Sequence, residues 1–396
     1  MNVAFILSGL PHYIVKLLNT INNNDKINVF SIIPISESKT LGSNVHTNEN
    51  DNTFSIIKLK EYICWYKKPF FKHFFSTLIQ NNIDVVVIGW PYFIHLVFNP
   101  ILLYKIKKNK IKIICREIPF TVPYFLESQT QFSNRCVESQ KNEKLFYSKF
   151  HFLFIKSLRK YIYSFVADYA LTYTEIGVNI LSSYGLPKTK ITCTYNSPDT
   201  NSIFETISKI ESNFKFVKNP YRLIHVGRLV KWKNVDLLIK AFHYLKSKNN
   251  QFELVIIGDG EEKEKLIELS KGLGLENQTV FLGSLYEGEE QSLEFLKSGI
   301  YVLAGMGGLS INEAMCHSLP IVCSVADGTE KHLVFENFNG AFFKDNNVES
   351  LVEAIERLCK NDLEKFGKNS LQIIKTKINI NTVSQLFVDS FFKVKS

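Results

Sequence analysis

Hydrophobic positions along the chain form short apolar runs that alternate with longer stretches of helical spacing. Five apolar runs in the first half predict buried strands, at residues 3–7, 29–33, 85–88, 111–115 and 169–172. Between them, helical spacing predicts helices at 11–23, 69–81, 92–108, 141–166 and 175–184. Uninterrupted apolar strands are typical of a mostly parallel sheet that is covered on both faces. The polar stretch 36–53 is predicted to be a loop, and 117–140 a long functional or mobile loop.

The most informative stretch is residues 297–324. An apolar run at 300–304 leads into Gly305-Met306-Gly307-Gly308; helical spacing at 309–317 and a second apolar run at 321–324 follow. This order predicts a βαβ unit whose helix begins at a glycine turn. Exposed N–H groups at a helix start bind phosphate, and glycines let a ligand approach the backbone. The same stretch alone is also compatible with a tight turn that binds nothing. Glu313, near the helix start, could hold ligand hydroxyls.

Two basic residues lie about eighty positions earlier. A predicted strand ends at Gly227, and Arg228 and Lys233 follow at a spacing of five. Arginine offers a planar fork to phosphate oxygens, and lysine supplies a compact positive charge. One such residue is usually solvated surface, but two beside a second phosphate-type turn favour an anion site.

Three further segments agree in order and spacing with one family. They are Leu254-Val-Ile-Ile-Gly258-Asp-Gly260, Val280-Phe-Leu-Gly283 and Tyr195-Asn196-Ser-Pro-Asp199-Thr200. Over residues 190–360 the chain resembles the family-four retaining glycosyltransferases, also called glycosyltransferase group 1. The resemblance implies an α/β protein of the GT-B fold, in which two Rossmann-like domains have parallel sheets that face a central cleft.

The resemblance also implies a domain organisation. Residues 1–204 would form an acceptor-binding Rossmann-like domain, 205–220 a linker, and 221–379 a nucleotide-sugar-binding domain. A last helix, at about 380–396, would pack back on the first domain.

In this family the protein supplies no covalent nucleophile. By resemblance, Arg228, Lys233 and Glu313 are the catalytic residues: the two cations stabilise the leaving diphosphate and Glu313 holds the ribose. No cofactor or metal is implied, and the co-substrate is a UDP- or GDP-linked sugar. The expected donor-binding residues are Gly9, Leu285 (beside the base), Gly305, Met306, Gly307, Gly308, Leu309 and Ser310.

Two positions depart from the family pattern. The family carries a second glutamate eight positions before the Glu313 position, where this chain has Gly305. Its absence is expected to make room for a donor sugar that is bulkier or that lacks a hydroxyl at the facing positions, such as a deoxy or N-acetylated sugar. The family's histidine after the 111–115 strand is also absent, which leaves Arg116 and Glu117 as acceptor-side candidates or as an ordinary ion pair at the strand end.

Charge is distributed unevenly along the chain. The net charge is +9, and residues 101–160 hold 13 basic against 4 acidic residues. Their lysines alternate with apolar residues, which favours an anionic membrane surface as partner over nucleic acid. Seven cysteines without a CxxC pair and a first segment without a leader pattern predict a cytoplasmic protein. The basic segment 101–160 adds the expectation that it is peripheral at the inner membrane face.

The expected activity is transfer of a sugar, with retention, to a hydroxyl of a glycan or lipid-linked acceptor in cell-surface polysaccharide synthesis. Two alternatives stay open. A GT-B sugar-nucleotide epimerase would share the phosphate site, and a catalytically inert nucleotide-sugar-binding protein would be consistent with the missing glutamate.

Overall fold

The computed structural model describes residues 1–36, 52–137, 148–285, 288–325 and 328–396. The chain divides into two compact units. The first unit comprises Met1–Ser133, Glu143–Asn196 and Ile380–Ser396, and the second comprises Asn134–Asn142 and Ser197–Asn379. Most of the predicted loop 36–53 and the first part of the predicted helix 141–166 lie outside the described residues.

Strands and helices alternate along most of the described chain. The strands are β1 (Asn2–Ile6), β2 (Asn28–Pro34), β3 (Ser55–Leu59), β4 (Glu61–Ile63), β5 (Pro69–Phe71), β6 (Val85–Gly89), β7 (Lys112–Arg116), β8 (Tyr169–Thr172), β9 (Ile191–Cys193), β10 (Asn219–Val226), β11 (Glu253–Ile257), β12 (Thr279–Gly283), β13 (Ser298–Leu303), β14 (Ile321–Cys323) and β15 (Gly340–Phe342).

The α-helices are α1 (His12–Asn22), α2 (Phe74–Gln80), α3 (Ile94–Phe98), α4 (Pro100–Lys108), α5 (Gln129–Val137), α6 (Lys149–Tyr161), α7 (Glu175–Ser183), α8 (Thr200–Asn213), α9 (Val235–Lys248), α10 (Lys263–Gly272), α11 (Glu289–Lys297), α12 (Ser310–Cys316), α13 (Glu330–Leu333), α14 (Val348–Cys359), α15 (Leu363–Thr376) and α16 (Ile380–Lys395).

Each unit is built on one parallel sheet. The first sheet has the order β3-β2-β1-β6-β7-β8-β9, and the second has the order β12-β11-β10-β13-β14-β15. All neighbouring strands in both sheets are parallel, whereas β4 and β5 form a separate antiparallel hairpin. The predicted α/β class with two parallel sheets is therefore confirmed.

Buried apolar side chains cover both faces of the first sheet. One face packs with α1 and α16, and the other with α2, α4 and α7. Phe5 on β1 lies 6.2 Å from the ring of Phe387 on α16, and Lys395 forms an ion pair with Asp84 at 2.9 Å. The last helix of the chain is therefore part of the first unit.

Polar side chains mark where several helices begin. Asn99 accepts a hydrogen bond from the backbone N–H of Leu102 at the start of α4, and Ser148 does the same for α6. Asp199, which belongs to the segment that resembles the family, caps α8 by accepting from the N–H of Ser202 at 3.2 Å. Such N-caps satisfy backbone donors that a helix start leaves unpaired.

Several expected elements differ from the structure. Helix α8 occupies much of the predicted linker 205–220 and belongs to the second unit, whose boundary falls at Ser197. The predicted loop 117–140 contains α5, and the predicted helix 69–81 begins as β5. In the parts of the chain that the structure describes, no helix combines the length and apolar character needed to cross a membrane.

Candidate functional site

The strand order of the second sheet determines where its site lies. β11 and β12 lie on one side of β10, whereas β13, β14 and β15 lie on the other. This reversal of direction opens a crevice at the carboxyl ends of the two central strands, where open α/β sheets bind ligands. Gly227 follows β10, and Gly305 comes shortly after β13. Both segments selected from the sequence therefore lie at the same edge of this sheet.

Two short segments meet at this edge. We call residues 305–309 the glycine loop and residues 228–233 the basic turn. A Cβ added to Gly305 would lie 2.4 Å from the carbonyl oxygen of Trp232 and 2.7 Å from that of Lys233. The N–H of Met306 donates to the Trp232 carbonyl at 3.0 Å. The two segments thus pack backbone against backbone, and this requires glycine at 305.

The expectation that Gly305 leaves room for a bulkier sugar is therefore wrong for this backbone. The volume that a side chain at 305 would occupy is filled by the main chain of Trp232 and Lys233. A carboxylate at this position would need the basic turn to move.

Lys233 lies beneath the glycine loop. Its side chain is buried, and its Nζ donates to the carbonyl oxygens of Met306 at 2.7 Å and Gly307 at 2.8 Å. A buried ammonium is tolerated only when hydrogen bonds replace its lost hydration. The same Nζ is 3.5 Å from the position that a Cβ on Gly308 would take. Lys233 therefore shapes the loop and places a positive charge against it.

Arg228 lies on the same turn but is exposed. Its guanidinium carbon is 5.8 Å from the centre of the Trp232 ring. Guanidinium groups stack favourably on indole faces at this range. Trp232, which sequence reasoning did not select, therefore orients Arg228 while its backbone contacts the glycine loop.

The Gly258-Asp-Gly260 segment supports the basic turn from below. A Cβ on Gly258 would lie 1.9 Å from the carbonyl oxygen of Gly227, and one on Gly260 would lie 2.4 Å from that of Leu229. The N–H of Leu229 donates to the Asp259 carbonyl at 2.9 Å. These glycines are explained by close packing against the turn.

Tyr301 connects the two central strands with helix α12. Its buried hydroxyl donates to Ser310 Oγ at 2.7 Å and lies 3.3 Å from the Val226 carbonyl oxygen. Burial raises the pKa of Tyr301, so the phenol stays protonated. With Tyr301 as donor, Ser310 can direct its own O–H towards a ligand oxygen. A buried tyrosine within an apolar strand gave no sequence signal that separates it from core.

His225, near the end of β10, is a buried and uncharged side chain next to the basic turn. Its Nδ1–H donates to the Val302 carbonyl at 3.0 Å, and the side chain is fully buried. Burial is the main cause that lowers the pKa of His225 to about 4, and the nearby Lys233 charge acts in the same direction. At neutral pH the His225 side chain therefore carries no charge, and the positive charge of the site comes from Arg228 and Lys233.

Glu313 lies on α12 and lines a small cavity of about 30 Å³ in the second unit. The backbone carbonyl of Glu313 accepts from Nδ1 of His317 at 2.7 Å, and Phe295 stacks on that imidazole at 4.7 Å. Burial lowers the pKa of His317 to about 4. Glu313 itself is half-buried, in the first turn of its helix, where a negative charge is favoured by the helix dipole. Its role towards ribose stays a prediction, as does that of Leu285, which is half-buried after β12.

In the first unit, the predicted site residues Gly9 and Glu117 lie in different surroundings. Gly9 follows β1 at the carboxyl edge of the first sheet, and its role stays a prediction. Glu117 is buried and bonds to Arg159 at 2.7 Å and to the Tyr163 hydroxyl at 2.8 Å. The ion-pair alternative therefore describes Glu117, although its partner is Arg159 and not Arg116.

Comparison with known proteins agrees with this architecture. The chain superposes on the Anabaena protein HepE in complex with UDP with a TM-score of 0.66 at 16% identity, covering 99% of this chain and 100% of that one. Both sheets and the order of their strands thus define a GT-B fold.

Sequence comparison finds similarity to one family over part of the chain. Residues 207–373 match the model of the glycosyl transferases group 1, and the resemblance predicted from the sequence is confirmed. An uncharacterized glycosyltransferase of Methanocaldococcus jannaschii is 31% identical over 247 residues, 60% of this chain and 62% of that protein. The poly(ribitol-phosphate) alpha-N-acetylglucosaminyltransferase of Staphylococcus aureus is 27% identical over 202 residues, 50% of this chain and 41% of that protein. The matches thus span 41% to 62% of these relatives' lengths.

Proposed function

We propose that the protein is a retaining glycosyltransferase that moves a sugar from a nucleotide diphosphate to a hydroxyl of a glycan or lipid-linked acceptor in cell-surface polysaccharide synthesis. The observation that carries the proposal is the buried Lys233, held under the glycine loop, with Arg228 on the same turn. Two fixed cations at the carboxyl edge of a Rossmann-like sheet suit a diphosphate.

The site would promote the reaction by electrostatic stabilisation of the leaving group. As the sugar leaves, negative charge grows on the β-phosphate, and preplaced cations stabilise that charge without reorganising at the moment of reaction. Arg228, Lys233 and the N–H groups near Gly308 and Leu309 would supply this stabilisation, and Ser310 a hydroxyl. The leaving phosphate would take the acceptor proton on the same face of the sugar, which retains the anomeric configuration. We propose that two protein cations perform the role of a metal, and that the donor is UDP- or GDP-linked.

Incubation of the protein with a panel of UDP- and GDP-sugars tests the proposal. Slow hydrolysis that releases an intact sugar of unchanged anomeric configuration supports a retaining transferase. Release of a new epimer would instead identify an epimerase, and binding without turnover an inert binding protein. Either result would overturn the proposed activity. EDTA should leave the hydrolysis rate unchanged if no metal takes part.

We also propose that the first unit docks on an anionic membrane surface at the cytoplasmic face. Helix α6 and the turn after it expose five large apolar side chains at helical spacing, and Lys149 and Lys160 belong to the same helix. They are Phe150, Leu153, Phe154, Tyr161 and Phe165, which are 43% to 79% exposed. An apolar face beside lysines is what interfacial helices present to anionic lipid.

A further inference from the structure

Arg116 at the end of β7 has a different environment from Glu117. Successive side chains of a strand point to opposite faces of the sheet. Ile114 packs with α1 and α16, whereas Cys115 packs on the opposite face. Arg116 accordingly faces α16, where its guanidinium carbon is 5.6 Å from the centre of the Phe387 ring. Glu117 points to the other face and pairs with Arg159.

The Arg116 side chain forms no hydrogen bond and no ion pair with any residue in the part of the chain that the structure describes. Burial is the main cause that lowers the pKa of the Arg116 guanidinium, and the hydroxyls of Tyr13 and Tyr173 act in the opposite direction. A guanidinium stays charged in proteins, so a positive charge is held here without a carboxylate. The Arg116 side chain is half-buried, and a partly desolvated charge without a carboxylate partner is costly unless a ligand compensates it.

The position of Arg116 indicates a ligand. It is the last residue of β7, at the carboxyl edge of the first sheet, where open α/β sheets bind their ligands. That sheet reverses direction between β1 and β6, and β7 is the neighbour of β6. The ring of Phe387 supports one face of the guanidinium, which leaves its planar edge with N–H donors for a two-oxygen anion.

We propose that Arg116 binds an anionic group, a carboxylate or a phosphate, on the acceptor that the first unit recognises. This inference rests on the proposed function, because a glycosyl acceptor is the substrate left to that unit. It adds the chemical class: an acceptor built from uronic acid or phosphate-bearing units. A bidentate contact between arginine and carboxylate or phosphate supplies both the charge and the geometry.

Arginine side-chain NMR on the full-length protein tests the inference without requiring turnover. The chain has six arginines, so labelling with ¹⁵N-arginine yields a small set of Nε–H resonances. The resonance that disappears in Arg116→Met is that of Arg116, and Arg228→Met identifies Arg228 in the same way. Inorganic phosphate, D-glucuronate and, as neutral probe, D-glucose are titrated in turn.

We expect a saturable shift of the Arg116 resonance with phosphate, glucuronate or both, and none with glucose. A shift with phosphate alone assigns a phosphate-bearing acceptor, and one with glucuronate alone assigns a carboxylate. Lys112→Met removes one charge at the opposite end of β7 and should leave the midpoint within twofold. Replacement by lysine, Arg116→Lys, should weaken anion binding at least tenfold, as seen by the shift of neighbouring amide resonances.

An Arg116 resonance that neither anion moves, or that glucose moves equally, would overturn the inference. The Arg228 resonance reports separately on the second unit. If the Arg228 resonance does not respond to phosphate and the nucleotide-sugar panel shows no turnover, the proposed function fails independently of the result for Arg116.

Discussion

At the scale of single residues, the two cations of the basic turn differ in how they depend on their surroundings. Lys233 is buried and holds two carbonyl oxygens of the glycine loop, so its charge and the shape of the loop are linked. Arg228 is exposed and rests on Trp232, so we expect its removal to disturb the turn less than the loss of Lys233 does. Substitutions at the two positions should therefore have different effects on stability.

We expect Arg228→Ala and Lys233→Ala each to lower turnover a hundredfold or more, because loss of one such contact costs ~3 kcal/mol of transition-state stabilisation. Thermal unfolding should separate them: Arg228→Ala keeps the wild-type Tm, whereas Lys233→Ala lowers it by leaving the Met306 and Gly307 carbonyls without their donor. Lys231→Ala, an exposed lysine of the same turn, is the matched control and should stay within twofold. Near-wild-type rates in both test variants would contradict the assignment of Arg228 and Lys233 to a phosphate-binding site.

A second prediction concerns Gly305. Gly305→Ala places a methyl group 2.4 Å from the Trp232 carbonyl oxygen, so either the glycine loop or the basic turn must shift. We expect a clear loss of Tm together with loss of nucleotide binding, and a larger loss for Gly305→Glu. Gly272→Ala in α10 is the control, since nothing lies within 4 Å of its added Cβ, and it should be neutral or stabilising by about 0.5–1 kcal/mol. A Gly305→Ala protein as stable as wild type would show that this packing is not required.

The residues that the sequence singles out at this scale are those whose chemical type is unusual for their setting. Glycine before a helix and basic residues after a strand stand out in an apolar background. Trp232 and Tyr301 do not, because an aromatic residue in or after an apolar strand has the same pattern whether it fills the core or positions a site. The close approach of Gly305 to Trp232 joins segments more than seventy residues apart, and no local pattern reports such a contact.

At the scale of elements, the central strands of both sheets are readily predicted, since strands buried on both faces are continuously apolar. The less apolar and shorter strands are not. β3 has an exposed serine and an exposed lysine, and β4 and β5 form a small hairpin. The phenylalanine-rich run at 69–75 fits strand and helix spacing equally over so few residues. Helix α5 is missed because its sequence, QTQFSNRCV, is largely polar.

Helix α6 supports a prediction about membrane binding. The full-length protein should sediment with vesicles that contain anionic lipid, and less so as salt rises, because basic residues near such a surface contribute about 1 kcal/mol each and are screened. Phe150→Ser and Phe154→Ser should weaken binding at all salt concentrations by removing apolar insertion. Phe214→Ser is the control, because it removes a phenylalanine of the second unit whose exposed fraction, 56%, lies between those of Phe150 and Phe154. Equal sedimentation with anionic and neutral vesicles would favour an ordinary solvated face.

At the scale of the whole molecule, buried neutral histidines link stability to pH. Burial lowers the pKa of both His225 and His317 to about 4, against about 6.5 in an unfolded chain. Between these values the unfolded state binds more protons than the folded state. The contribution of the two histidines to the free energy of unfolding is therefore full above pH 6.5 and is lost as the pH drops towards 4.

Urea unfolding at pH 7.5 and 5.0 checks this link. Each buried histidine should contribute a pH dependence of up to about 1.4 kcal/mol per pH unit in this window. His317→Gln should show a shallower dependence than wild type whatever its absolute stability. An unchanged slope in His317→Gln would contradict a buried neutral imidazole at this position.

Calorimetric titration shows whether the basic turn and glycine loop of the second unit hold a nucleoside diphosphate. Wild type, Arg228→Ala and Lys231→Ala are titrated with UDP, UMP, GDP and GMP. We expect wild type to bind one diphosphate at least tenfold more tightly than its monophosphate. Arg228→Ala should remove this preference, and Lys231→Ala should keep it. Equal affinity of wild type for the diphosphate and monophosphate, or an unchanged preference in Arg228→Ala, would show that these two segments do not hold a diphosphate.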